Sequence, residues 1–140
     1  MFSINMTQSF ILEGISIDRP AADVFKFVSD RHTLPLWTKA FSKITPDGAS
    51  FETPGGIVPI GLDVIADRAT GVVDWVMKFP DRHVDRAFGR VATETPARAN
   101  MQFFFAPALP PEVRAEMIGK LSATIREELA VLKRTLEQPR

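Results

Sequence analysis

Residues 15–37 read ISIDRPAADVFKFVSDRHTLPLW, and the order of signals in this stretch decides the architecture. Just upstream, residues 10–17, FILEGISI, alternate apolar and polar around Ile11, Ile15 and Ile17, which predicts a strand. Asp18-Arg19-Pro20 then opens a short helix, because proline in a first turn gives up an N–H that has no intrahelical partner. Ala21, Val24, Phe25 and Val28 make one apolar face at helical spacing. The polar run Asp30-Arg31-His32 follows, with Leu34-Pro35-Leu36-Trp37 closing it. Leu34 and Trp37 are expected to anchor a second short helix, and Pro35 restricts the backbone before it. Asp30 and Arg31 should end the first helix and face water, leaving His32 as an exposed corner residue.

Beyond Trp37 turn residues recur: Pro46-Asp47-Gly48, Pro54-Gly55-Gly56, Asp67-Arg68, Pro80-Asp81-Arg82 and Glu94-Thr95-Pro96. The segments between them, from FSKIT to ARANMQFFFA, are strand-length and rich in branched and aromatic residues, as in a meander of antiparallel hairpins. Pro59 and Gly89 fall inside strands and predict bulges or bends. From Pro110-Pro111 to about Glu137 the period changes to that of a long helix. Val113, Met117, Leu121, Ile125, Leu129, Leu132 and Leu136 are its expected apolar stripe. The expected fold is therefore α+β: a seven-stranded curved antiparallel sheet, two short helices between its first and second strands, and a long C-terminal helix on the concave side.

The totals narrow the function. The 140 residues fit one domain, 1–140, large enough to bury a core without staples. With no cysteine, thiol catalysis and zinc–thiolate sites are excluded. Seventeen basic residues balance seventeen acidic ones, which argues against nucleic acid as a partner. No apolar run reaches the roughly 18 residues of a membrane span, and the start MFSINMTQSF lacks the features of a leader, so a cytoplasmic location is expected. Eleven phenylalanines and no tyrosine favour an apolar interior.

The stretch 15–37 resembles the opening of the START-like (SRPBCC) superfamily of helix-grip proteins, with Ile17, Pro20, Val24, Phe25, Asp30 and Trp37 matching its pattern. The element order extends the resemblance over essentially the whole chain, and the segments GRVATETPARANMQFFF and LPPEVRAEMIGKLSATIREELAVLKRTLE look like the polyketide cyclase/dehydratase-like bacterial branch. The resemblance implies a cavity between sheet and C-terminal helix. It does not imply one reaction.

Strand alternation sets the candidate site. In the sixth strand Arg82, Arg86 and Arg90 share a face that should meet solvent, which turns Ala87 and Gly89 inward and leaves space. The expected ligand-binding residues are Trp37, Val73, Trp75, Met77, Ala87, Met101, Phe103, Met117 and Leu121, holding a hydrophobic lipid-, polyketide- or acyl-like molecule. His83 and Asp85 share the inward face two residues apart, a pattern suited to acid–base chemistry in a cyclase- or dehydratase-type enzyme. A third possibility is a protein-interaction module with a filled core. No metal site and no cofactor are expected, and the oligomeric state is not readable from the chain.

Overall fold

The computed structural model of the chain describes residues 10–107 and 109–139; the start of the chain inspected above for a leader lies mostly outside them. Strand β1 (Ile11–Ile17) leads to helix α1 (Ala21–Val28), a short 3-10 turn (Arg31–Thr33) and α2 (Leu34–Trp37). Six strands follow: β2 (Phe41–Thr45), β3 (Gly48–Thr53), β4 (Gly56–Asp67), β5 (Val72–Lys78), β6 (Val84–Thr95) and β7 (Arg98–Phe105). Helix α3 (Pro111–Glu137) completes the fold. The strands form one antiparallel sheet in the order β1-β7-β6-β5-β4-β3-β2, so all neighbours after β2 are hairpin partners and β1 returns beside β7. The expected α+β helix-grip architecture is what the chain adopts.

The register irregularities arise elsewhere than at Pro59 and Gly89. Strand β4 pairs with β3 over residues 56–60 and with β5 over residues 61–67, so its pairing changes partner halfway along. Pro59 opposes Ser50 with no shift of register. It lies in the half of β4 that pairs only with β3, where a missing N–H is tolerated. Gly89 also sits in regular pairing, opposite Val73 and Phe103. The irregularities fall between Phe41 and Lys43 and between Thr93 and Thr95.

The alternation of β6 follows the expected faces. Ala87 and Val91 are buried on the concave side, whereas Arg86, Phe88 and Arg90 are exposed on the other. Asp74, on the outer face of β5, is nonetheless buried under the Arg86 guanidinium, which donates to its carboxylate at 2.7 Å. A buried charge of this kind requires such a partner.

The connection between β1 and β2 is held by both apolar and polar anchors. Val24, Val28, Leu34 and Trp37 are buried. The Asp30 carboxylate accepts from the His32 amide at 3.0 Å and caps the 3-10 turn. Arg31 does not simply face water: it is half-buried and donates to the Leu62 carbonyl at 3.1 Å, tying the turn to β4. His32 is exposed.

Helix α3 departs from the expected stripe. Ile118, Ile125, Leu129, Leu132 and Leu136 are buried, Met117 and Leu121 are half-buried, and Val113 is exposed. The cause is phase. At 3.6 residues per turn, a step of four overshoots one turn by about 40°, so four such steps carry Val113 about 160° away from Leu129. A separation of eleven residues nearly closes three turns, which places Ile118 within about 20° of Leu129. A run spaced by fours spirals around a helix; it does not stay on one face.

Candidate functional site

A hollow of about 300 Å³ lies between the concave sheet face, α2 with the segment after it, and α3. Six of the nine expected ligand-binding residues line it: Trp37, Trp75, Met77, Ala87, Phe103 and Leu121. Val73, Met101 and Met117 do not. Val73 and Met101 lie on the inward faces but are fully buried and do not border the hollow. Met117 shares the angular position of Glu128 to within about 20° but stands one turn before Leu121, past the end of the hollow.

The space does not come from Gly89. A Cβ at Gly89 would stand 2.8 Å from two atoms of the Trp75 ring, so the indole already occupies the room the glycine provides. Of the two small inward residues of β6, Ala87 borders the hollow. The walls are aromatic. Trp37 and Trp75 meet edge to face at 6.4 Å between centroids, Trp75 and Phe103 lie 5.9 Å apart, and Phe41 and Phe51 lie 5.2 Å apart. Both tryptophans of the chain therefore line the same space. Their indole nitrogens are buried and find no acceptor among the described residues. A buried donor left in this state costs free energy, about 1–3 kcal/mol by mutational measures.

Polar groups are few, and one of them was not visible in the sequence. Glu128 lines the hollow from α3. Its Oε2 accepts from the Lys39 amide at 2.6 Å, which fastens the segment following α2 to the helix. Burial pushes the Glu128 carboxyl above the ordinary carboxylate range, against the opposing pull of that amide and of the Lys39 charge. The adjacent Glu127 pairs instead with the Lys39 ammonium, which holds its carboxyl below the ordinary range and raises the lysine. The signal for Glu128 lay in spacing: it stands seven residues after Leu121 and three after Ile125, so all three share one flank of α3. That flank adjoins the buried one and shares Ile125 with it, so a single stripe merges the two.

His83 and Asp85 form a pair outside the hollow. His83 Nε2 and Asp85 Oδ1 are 2.8 Å apart, and the imidazole is stacked on Phe79 at 5.1 Å. His83 is exposed in the turn before β6, and neither residue lines the hollow. The link between the two places is aromatic: Phe79 meets Phe51, a wall residue, at 5.3 Å. Among the described residues no group of three or more His, Asp and Glu side chains is placed to hold a metal ion. No described helix is long and apolar enough to cross a membrane.

No family model matches the sequence, and no curated protein matches it. Solved structures do resemble the fold. The di-domain ARO/CYC BexL from the BE-7585A biosynthetic pathway superposes with a TM-score of 0.72 at 17% identity, covering 93% of this chain. The chain spans about half, 47%, of that protein. The Zhui aromatase/cyclase from Streptomyces sp. R1128 gives a TM-score of 0.61 at 12% identity, with 91% of this chain and 90% of that one covered. The Aha1 dimer from Colwellia psychrerythraea gives 0.67 at 14% identity, covering 93% and 97%. Taken with the seven-stranded sheet and the long terminal helix, these likenesses identify the fold of the chain as the START-like, polyketide cyclase-like helix grip.

Proposed function

We propose that the chain acts as one START-like domain of the cytoplasm that takes a hydrophobic small molecule, lipid-, polyketide- or acyl-like, into the hollow between sheet and α3. The observation that carries this reading is a hollow of about 300 Å³ whose walls are almost wholly apolar and include both tryptophans. That volume lies at the lower end of ordinary small-molecule sites, roughly 300–1,000 Å³. Burying a ligand's apolar surface is worth about 25 cal/mol per Å², before the costs of ordering it. Useful affinity then needs no catalytic group. The aromatase/cyclase neighbours support an aromatic or polyketide-like ligand over a straight acyl chain.

The test uses the tryptophans as built-in reporters. Titration with the neutral probe N-phenyl-1-naphthylamine should quench the fluorescence of Trp37 and Trp75 and saturate at one probe per chain. Native mass spectrometry after gentle purification should reveal any co-purifying apolar molecule. A protein that purifies empty and leaves the probe unbound would overturn the reading.

A second reading, a cyclase- or dehydratase-type enzyme, is favoured by the 2.8 Å contact between His83 and Asp85. An imidazole oriented by a carboxylate can move protons. Its check is direct: His83→Ala should abolish turnover of any substrate found, and an unchanged rate removes His83 from the chemistry.

A further inference from the structure

We infer that Glu128 determines the specificity of the hollow, favouring neutral apolar molecules that carry a hydroxyl and turning away those that carry a carboxylate. The inference rests on the ligand-binding reading above and adds the chemical class of the ligand. Three observations lead to it.

The first is placement. Glu128 shares the lining with Leu121, Ile125 and the aromatic walls, so a ligand filling this space meets its carboxyl across a mostly apolar interior. The second is its unused capacity. A carboxylate offers about four acceptor positions, and the Lys39 amide occupies one of them at 2.6 Å. A hydroxyl proton can take another. A group that donates fits this site; an ether or a hydrocarbon has no proton to give.

The third is charge. The ionisable side chains lining the hollow are Lys39, Glu52 and Glu128. Lys39 reaches away to Glu127, so its ammonium is already neutralised by a carboxylate. A ligand carboxylate entering beside Glu128 would meet a like charge in apolar surroundings with no uncommitted cation in the lining. It would have to be protonated, or force Glu128 to be, in order to stay.

Three naphthalenes of similar size separate these effects: 2-naphthol, 2-methylnaphthalene and 2-naphthoate, titrated calorimetrically into the intact chain at neutral pH. The wild-type protein should bind 2-naphthol about tenfold or more tightly than 2-methylnaphthalene, as expected of a hydrogen bond to a charged acceptor. 2-Naphthoate should bind worst. Glu128→Leu should erase the preference for 2-naphthol over 2-methylnaphthalene. Glu128→Gln, which keeps an acceptor oxygen for the Lys39 amide, should raise the affinity for 2-naphthoate about tenfold and serves if the leucine variant does not fold. Unaltered ratios between the three ligands in the glutamine variant would overturn the role of Glu128 while leaving the binding reading intact. A wild-type chain that binds none of the three overturns both.

Discussion

The two halves of α3 carry similar side chains and meet different surroundings. Over the C-terminal half, Ile125, Leu129, Leu132 and Leu136 are buried, with the helix packed along β1. Lys133 there donates to the Ser16 carbonyl at 3.0 Å, and Arg19 donates to the Leu136 carbonyl, so polar bonds close the seam. Over the N-terminal half, only Ile118 is buried, Leu121 lines the hollow and Val113 faces outward. The last turns of the helix fill a core, whereas its middle, from Leu121 to Glu128, roofs a space. The difference lies in what stands opposite the helix and at which angle, since both halves are comparably apolar.

Substitutions should expose that contrast, the core half responding most. Leu132, fully buried, should lose about 2–5 kcal/mol when changed to alanine, whereas Leu121→Ala should lose less than half as much, both read by urea unfolding. Equal losses would mean that the roof is packed as tightly as the core. Gly89→Ala should cost about 1–3 kcal/mol, because the new Cβ meets the Trp75 ring at 2.8 Å and the indole must move. A shifted tryptophan emission spectrum would report that movement; an unchanged spectrum with unchanged stability would show that the fit is looser than the geometry indicates.

Glu128→Gln should have a smaller effect, with a definite sign in pH. A carboxyl raised by burial binds its proton more tightly folded than unfolded, so ionising it as pH climbs from 4.5 through the raised value removes stability. The groups facing it are Lys39 and Glu127 beside it and Glu52 in the same lining. The glutamine variant should therefore melt higher at neutral pH, with the gain fading as pH falls toward 4.5. A gain that grows on acidification would contradict the assigned cause. Smallest of all is Lys39→Ala, which removes an exposed ion pair but keeps the amide that Glu128 uses; its melting temperature should match the wild type.

Much of this was legible in the chain. The alternation of β6 separated Ala87 and Val91 from Arg86 and Arg90, because three arginines on one face are costly to bury. The motif from Ile17 to Trp37 marked the two short helices, and Trp37 is buried where the motif required an anchor. The site was legible in part. Trp75, Met77 and Phe103 border the hollow as their strand faces implied, yet Val73 and Met101 lie on the same faces and do not. Alternation tells which way a side chain points and not how far away the opposing layer stands. Glu128 escaped for a related reason: it belongs to a flank of α3 that becomes an inner surface only where the sheet falls away from the helix.

The sequence by itself determined the order of elements, the two faces of each strand and the ends of α3, because these follow from local periods of two and 3.6 and from turn residues. Only the tertiary structure decided where the interior is solid and where it is hollow, and which carboxyl meets the hollow. Those outcomes depend on the curvature of the sheet, on the partner change within β4 and on the angle at which α3 lies across it all. Each is a sum over contacts between distant residues, and no local pattern in the chain contains that sum.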